Sequence, residues 1–179
     1  EGVIYIATKN GAFKSSSFGR QWKKIFKRAD LEGKCTRILL LPGKENEIYL
    51  GTRKGLFYSD SGGKTWRKSQ GFLKSADIKS FTIVKSEGSS ILFAIGDNEL
   101  HKFYPEKNIS KKVFVLSTAE EETDNTGQDE NFYEENPGPL NEIRYDGGIL
   151  YLATIRGLFI SEDLGKTWKR FNSAGLASR

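Results

Sequence analysis

The chain has 179 residues, 37% of them hydrophobic and 12% aromatic, so it is long enough to bury a core in one or two domains. Its 19 glycines and 4 prolines suit an all-β protein with many short strands and turns. No apolar run approaches the roughly 20 residues needed to cross a bilayer, so we expect no membrane span.

The formal charge of +5 is unevenly distributed along the chain. Residues 119–136 carry eight carboxylates and no lysine or arginine, which leaves the remainder strongly basic. A protein with this much positive charge attracts anionic partners. However, no run of basic residues is long, and an ordinary lysine-rich surface explains most of the positive charge. We expect no specific nucleic-acid partner. The acidic segment matches no calcium loop, so we predict a solvated loop and no metal site.

The chain repeats one scheme of short strands joined by tight turns. Tyr5 and Tyr49 are 44 residues apart, as are Trp22 and Trp66, which indicates repetition. The predicted strands are Val3–Thr8, Ala12–Ser15 and Gln21–Phe26; Thr36–Leu41, Ile48–Thr52, Leu56–Ser59 and Trp66–Lys68; Ile78–Lys85, Ile91–Ile95, Leu100–Tyr104 and Lys112–Leu116; and Glu142–Tyr145, Ile149–Thr154, Gly157–Ile160 and Trp168–Phe171.

Three turns share the pattern Ser-x-Asp-x-Gly-x-Thr-Trp in differing states of completeness. Short side chains at the first and third positions accept hydrogen bonds from the turn's own amides. The glycine supplies a positive φ, and the tryptophan offers a large apolar surface. The four key positions hold Ser15, Ser17, Gly19 and Trp22; then Ser59, Ser61, Gly63 and Trp66; and finally Ser161, Asp163, Gly165 and Trp168.

This pattern resembles the Asp box, or BNR repeat, of sialidase-like β-propellers, and the order of motifs is most similar to the photosystem II stability/assembly factor type. The resemblance implies an all-β propeller of four-stranded antiparallel blades. It also implies that each box is a structural staple on the face opposite any active site. We predict a single propeller segment with blade repeats at about 1–34, 35–77, 78–118 and 137–179 and an acidic insertion at 119–136.

The first repeat lacks an innermost strand, so the sequence predicts four blades with one strand missing. A partial or half ring is therefore favoured over a self-closed four-bladed disc. Two arrangements remain open. The chain is either part of a longer propeller, or a homodimer in which a second copy completes the ring.

By the same resemblance, the turns between second and third strands share the ligand face with the blade linkers. The predicted ligand residues there are Lys9, Arg53, Lys54 and Arg156, with Arg28, Lys74 and Lys79 nearby. Such cations suit a carboxylate, a sulfate or an acidic protein segment, although ordinary polar turns have the same composition. We predict a non-enzymatic binding or scaffold module that docks a protein or glycan partner and needs no cofactor.

Enzymatic alternatives find less support in the sequence. A sialidase usually carries Arg-Ile-Pro before its boxes, whereas residues 37–39 read Arg-Ile-Leu. A glycoside hydrolase of the xyloglucan-cleaving propeller kind would need two opposed carboxylates, for which Asp30 and Asp77 in adjacent linkers are candidates. His101 is the only histidine and lies in a strand pattern, so no Ser-His-Asp site is expected.

The sequence does not determine the cellular compartment. Cys35 is the only cysteine, forms no internal disulfide, and is predicted to be a small buried hydrophobe. The chain begins at Glu1 without methionine, which suggests a processed or trimmed N-terminus and favours an exported or periplasmic protein.

Overall fold

The computed structural model of the protein describes residues 2–41, 43–86, 89–113 and 137–171, which form four antiparallel sheets, called blades 1 to 4 in chain order. Blade 1 holds β1 (Ile4–Thr8), β2 (Gly11–Ser15) and β3 (Lys23–Phe26), and blade 2 holds β4 (Cys35–Leu41), β5 (Lys44–Thr52), β6 (Gly55–Ser59) and β7 (Arg67–Lys68). Blade 3 holds β8 (Ile78–Ser86), β9 (Ser89–Gly96), β10 (Glu99–Tyr104) and β11 (Ile109–Val113), and blade 4 holds β12 (Leu140–Asp146), β13 (Ile149–Thr154), β14 (Gly157–Ser161) and β15 (Lys169–Arg170). The predicted acidic insertion lies outside the described residues.

Within each blade the strands pair in chain order, so every blade is a simple meander. The first strands of blades 2, 3 and 4 lie side by side and form the inner rim of the molecule. The Thr36 hydroxyl on β4 donates to the Ile78 carbonyl on β8 at 2.6 Å, and the Ile143 amide on β12 donates to the Ser80 hydroxyl on β8 at 3.4 Å. Within the described residues, blade 1 has three strands and no counterpart of β4.

The turns between the second and third strands of blades 2 and 4, and the equivalent turn of blade 1, are built alike. In blade 2 the Thr52 hydroxyl donates to the Gly55 carbonyl at 2.8 Å and accepts the Lys54 amide at 3.1 Å. Gly55 has φ 122°, and a Cβ there would lie 2.5 Å from the Lys74 carbonyl oxygen, so only glycine fits. Matching threonine bonds occur in the other two turns. Blade 3 lacks this motif.

In the part of the chain that the structure describes, the buried apolar side chains form three clusters, one between each pair of neighbouring blades. Between blades 1 and 2 the Phe26 ring lies edge-on to Phe57 and Trp66, with centroids 4.9 and 5.2 Å apart. Between blades 3 and 4 the Trp168 and Phe159 side chains are fully buried. Stability therefore comes mainly from blades packing face to face.

The outer strands differ from the sequence prediction. They begin after the turn tryptophans in blades 2 and 4, and each pairs over only two residues. In blade 3 the outer strand begins at Ile109 rather than Lys112, because Asn108 adopts a positive φ of 49° and closes the preceding turn early. Residues 114–116 of that predicted strand lie outside the described residues.

Two short 3-10 helices in the blade linkers were not predicted. They span Asp30–Gly33 and Gly71–Lys74. The second one places Leu73, which is fully buried, against the core between blades 2 and 3. These linkers therefore pack into the molecule as well as connecting the blades.

Candidate functional site

A cavity of about 650 Å³ opens at the inner rim, where β4, β8 and β12 begin. This side of the molecule carries the blade linkers and the turns between second and third strands, and we call it the turn face. The residues that line the cavity are Lys9, Lys34, Cys35, Thr36, Arg53, Asp77, Ile78, Lys79, Asp97, Asn98 and Leu140.

The lining of this cavity carries more positive than negative charge. Arg53 donates from Nε to Asp77 Oδ2 at 3.3 Å, but both side chains are about half exposed, so water screens this pair. Neither Lys9 nor Lys34 has an ion pair among the described residues. Four cations face two carboxylates: Lys9, Lys34, Arg53 and Lys79 against Asp77 and Asp97.

Hydrogen bonds to the backbone hold the cavity wall in place. The Asp97 carboxylate accepts the Asp77 amide at 3.0 Å, and the Asn98 side chain accepts the Leu140 amide at 2.6 Å. Lys79 Nζ donates to the Leu140 carbonyl at 2.9 Å. These bonds link blade 3 to its own linker and to blade 4, so the site is largely preformed.

The structure brings only part of the predicted set together. Lys9 and Arg53 both line the cavity. Lys54 and Arg156 are exposed in turns on the same face but are not among the lining residues, and the Arg156 carbonyl accepts a bond from the Arg170 guanidinium at 2.8 Å. Of the three cations expected nearby, Lys79 lines the cavity, and Arg28 and Lys74 do not.

Sequence reasoning missed Lys34, Asp97 and Asn98 as site residues. Lys34 follows an unpredicted 3-10 helix, which brings it to the start of β4. Asp97 and Asn98 form the turn of blade 3 with positive φ values of 45° and 65°. The Gly-Asp-Asn sequence signals the turn, but no sequence signal shows that it lies beside the linker of the next blade.

The carboxylates proposed for a glycosidase do not meet in this cavity. Asp77 lines it, whereas Asp30, at the start of a 3-10 helix, is not a lining residue. Asp97 is the second carboxylate of the wall, and its oxygen is already engaged by a backbone amide. The two carboxylates present are thus both bound to protein groups.

Cys35 and His101 are packing residues. Cys35 is buried, as predicted, and burial raises the pKa of its thiol to about 11, so it is a poor nucleophile. His101 is also buried, with its ring stacked on Phe72 at 4.1 Å and Nε2 2.9 Å from Glu99 Oε2.

On the opposite face, the turn before β15 is centred on Asp163. Its Oδ1 accepts the Lys166 and Thr167 amides and the Ser161 hydroxyl, all at 2.9 Å, and Oδ2 accepts the Thr167 hydroxyl at 2.7 Å. Desolvation alone raises the pKa of Asp163, but the bonds from Thr167, Ser161 and Lys166 outweigh it and hold the pKa well below its usual range. Gly165, at φ 76°, lies against Phe93 of blade 3.

The two less complete turns make bonds of the same kind through serine hydroxyls. The Ser59 hydroxyl accepts the Gly63 amide at 3.0 Å, and Ser61 accepts the Thr65 amide at 3.0 Å. In blade 1 the corresponding bonds are Gly19 to Ser15 and Gln21 to Ser17, both 2.9 Å. We call the face that carries these three turns the box face.

The tryptophans of these turns differ in burial. Trp168 and Trp66 each contact the blade before their own, whereas no described blade precedes that of Trp22. Trp168 is completely buried against blade 3, and Trp66 is partly buried and donates from Nε1 to the Ile25 carbonyl of blade 1 at 2.8 Å. Trp22 belongs to blade 1, and 41% of its surface is exposed. Trp22 therefore leaves part of its apolar surface exposed on the outer face of blade 1.

Solved structures with similar backbones define the fold. The chain superimposes on an ancestral GH74 enzyme with a TM-score of 0.67 and 16% identity, over 96% of this chain and 22% of that one. The fold is that of a β-propeller segment. The extracellular domain of a putative hybrid two-component system from B. thetaiotaomicron gives 0.61 and 16%, over 100% and 21%. The computationally designed Ika4 protein gives 0.53 and 9%, over 90% and 85%.

The predicted all-β fold of four antiparallel blades in an open ring is thus confirmed. The chain spans about a fifth of the length of the first two structures. At these identities the similarity establishes the fold alone. No protein-family model matches the sequence, and no curated protein matches it.

Within the described ranges, no three side chains of His, Cys, Asp or Glu are grouped so that they could hold a metal ion. None of the helices in this part of the chain is long and apolar enough to span a membrane.

Proposed function

We propose that this propeller segment is a non-enzymatic binding module that docks a carboxylate-bearing partner, protein or glycan, in the turn-face cavity. The observation that carries the proposal is the cavity itself, which is lined by Arg53 together with Lys9 and Lys34, two lysines that form no ion pair with any described residue. Ammonium and guanidinium groups form charge-assisted hydrogen bonds with carboxylates, and Arg53 is able to exchange its exposed bond to Asp77 for a ligand.

The three box-face turns are proposed to be Asp boxes that serve as structural staples. Support comes from their shared serine-to-glycine bond, which measures 2.9, 3.0 and 2.7 Å in chain order. In this view the box residues take no part in binding the docked partner, and the cations of the other face carry that role.

An array of acidic peptides and acidic glycans tests the docking proposal. The wild-type chain is expected to capture carboxylate-bearing probes, and Lys9→Glu/Arg53→Glu to lose at least about tenfold in affinity, since two charge contacts become repulsive. Lys166→Glu is the control, because Lys166 is exposed on the box face. Equal binding by both variants would refute the assignment of this cavity.

A glycoside hydrolase is the alternative, and the two carboxylates in the cavity wall, Asp77 and Asp97, are the observation that favours it. It predicts release of reducing ends from soluble β-glucans, xyloglucan among them, and loss of that release in Asp77→Asn. If the chain is a binding module, neither the wild-type chain nor Asp77→Asn should release reducing ends. Asp77→Asn should still capture acidic probes, because the substitution removes the carboxylate that pairs with Arg53.

We also propose that the free faces of blades 1 and 4 are ring-closing surfaces and that a second copy of the chain is able to join them. On blade 1 the free face exposes Ile4, Ile6 and Trp22, at 39%, 38% and 41%. On blade 4 the paired residues Tyr151 and Ile160 are partly exposed. The equivalent pair of blade 2, Tyr49 and Tyr58, packs against blade 3. The two faces thus resemble the two sides of contacts that the chain already makes internally.

A further inference from the structure

A second cavity, of about 810 Å³, lies on the box face between the turns of blades 1 and 2. Four lysines line it: Lys14 on β2, Lys23 and Lys24 on β3, and Lys64 in the turn before β7. We call this site the lysine cleft. Its other polar side chains are neutral, from Ser16, Ser17 and Gln21, and no carboxylate contributes to its lining.

The four lysines have no ion-pair partner among the described residues, although salt bridges form close by. Blade 2 pairs Arg67 with Asp60 at 2.7 Å and Lys68 with Glu32. The Lys14 ammonium instead lies 5.3 Å from the centroid of the Tyr5 ring. The Lys24 ammonium lies 5.5 Å from the centroid of Phe13, on the other face of blade 1 and near Gly11, so Lys14, Lys23 and Lys64 supply the charge of the cleft. Like charges that lack a carboxylate partner and line one concave site raise the local potential and favour an anionic ligand.

The equivalent turn of blade 4 lines a cavity of different charge. There a smaller cavity of about 250 Å³ is lined by Glu162 and Asp163 together with Lys169. Lys166 occupies the position in that turn that Lys64 occupies in blade 2. In blade 2 the residue matching Glu162 is Asp60, which pairs with Arg67 at 2.7 Å and does not line the lysine cleft.

We infer that the lysine cleft binds a sulfated oligosaccharide. Lysines hold sulfate groups by charge-assisted hydrogen bonds, and the serine hydroxyls and the Gln21 amide suit the neutral hydroxyls of sugars. The volume is that of a pocket for a few sugar rings and cannot admit a nucleic-acid duplex. All four cations are lysine rather than arginine, which disfavours the bidentate phosphate and base contacts typical of nucleic-acid sites.

The test is a calorimetric titration of the full chain with a heparin-derived hexasaccharide at roughly physiological ionic strength. Lys23→Glu/Lys64→Glu is the test variant, because both side chains are exposed and folding should survive. We expect it to bind at least about tenfold more weakly than the wild-type chain. The control Lys166→Glu makes a charge change at the matched turn position and is expected to stay within about twofold.

Further probes make the outcome decisive. The desulfated hexasaccharide should not bind measurably, and an oligothymidylate of similar charge should bind more weakly than the sulfated sugar. Equal weakening by both variants would show only attraction by net charge and would overturn the site. Tighter binding of the oligothymidylate would overturn the ligand class.

The turn-face variant Lys9→Glu/Arg53→Glu should retain hexasaccharide binding, which separates this site from the docking cavity.

Discussion

Asp163 accepts more hydrogen bonds than any serine at the same position of the other two turns. A carboxylate has two oxygens, so it takes two amides and two hydroxyls at once. Ser61 and Ser17 offer one oxygen each and bond mainly to the residue four positions later. In the turn of blade 4 a single side chain therefore holds four donors, whereas the turn of blade 2 relies on Ser59, Ser61 and Thr65 together.

Asp163→Ala should lower the free energy of unfolding by about 1–2 kcal/mol, because several turn donors lose their acceptor. Asp163→Asn keeps one acceptor oxygen and should cost less. Urea unfolding followed by tryptophan fluorescence measures both. Identical midpoints for the wild-type chain and Asp163→Ala would show that this turn does not stabilise blade 4.

Trp168→Ala should cost about 3–5 kcal/mol, since the indole is fully buried between blades 3 and 4. Phe171→Ala is the matched control in the same blade, because that ring is 48% exposed and its loss should cost about 0.5 kcal/mol. Thermal and urea unfolding of both variants distinguish the two cases. Similar losses would contradict the packing role of Trp168.

The sequence identifies the turn residues but cannot rank the burial of their tryptophans. Trp22 and Trp168 occupy the same motif position, yet one is 41% exposed and the other is fully buried. The reason is tertiary: each indole packs on the preceding blade, and blade 1 has none before it among the described residues. A local pattern carries no information about that neighbour.

At the scale of elements, prediction succeeded where a local signal defines the chain path. The threonine and glycine turns of blades 2 and 4 fix the ends of β5 and β13, and both ends were predicted correctly. The outer strands of blades 2 and 4 were predicted too long because only two residues of β7 and of β15 find partners. The 3-10 helices were missed because such short helices carry no repeating apolar pattern.

Arg37 on β4 joins two other inner strands. Its guanidinium donates to Glu142 on β12 at 3.1 Å and to Ser80 on β8 at 3.4 Å. The hydrogen bond from Arg37 lowers the pKa of Glu142, burial opposes the shift, and Arg144 adds to it. The pair therefore links blades 2 and 4 across blade 3.

Glu142→Gln should lower stability near neutral pH by up to about 1 kcal/mol, because the carboxylate is 42% exposed and screened. Since the folded pKa is depressed, the stabilisation is complete above the ordinary glutamate pKa of about 4.3 and is lost as pH falls through the folded value. Unfolding titrations across this range should show the difference shrinking in acid. A difference that does not change with pH would contradict the ion pair.

At the scale of the whole molecule, the two free blade faces predict self-association. Light scattering should give a molar mass near twice the chain mass of 20.1 kDa, with two half rings joined head to tail. Trp22→Glu should return the mass to that of one chain, because it places a charge in the contact. A single-chain mass for the wild type at high concentration would rule out closure by a second copy.

The candidate site was only partly predictable from the sequence. The repeat register predicts the positions of Lys9 and Arg53. Arg53 lies in the turn between β5 and β6, and Lys9 lies in the equivalent turn of blade 1, between β1 and β2. Lys34 lies in the linker before β4, and Asp97 lies in a turn of blade 3, the blade without the Ser-x-Asp-x-Gly-x-Thr-Trp pattern. The repeat register does not predict the position of either residue. The lysine cleft combines residues of two blades, and only the packing of blade 1 on blade 2 brings them together.

The most direct test of docking at the turn face is hydrogen–deuterium exchange of the chain with and without the tightest-binding acidic peptide of the array. The account predicts slower exchange in residues 34–36, 52–55 and 77–79, which form the cavity wall and the adjoining turn. Exchange in the box-face turns at 16–19 and 161–165 should stay unchanged. Protection confined to the box face, or no protection in the cavity wall, would contradict docking at the turn face.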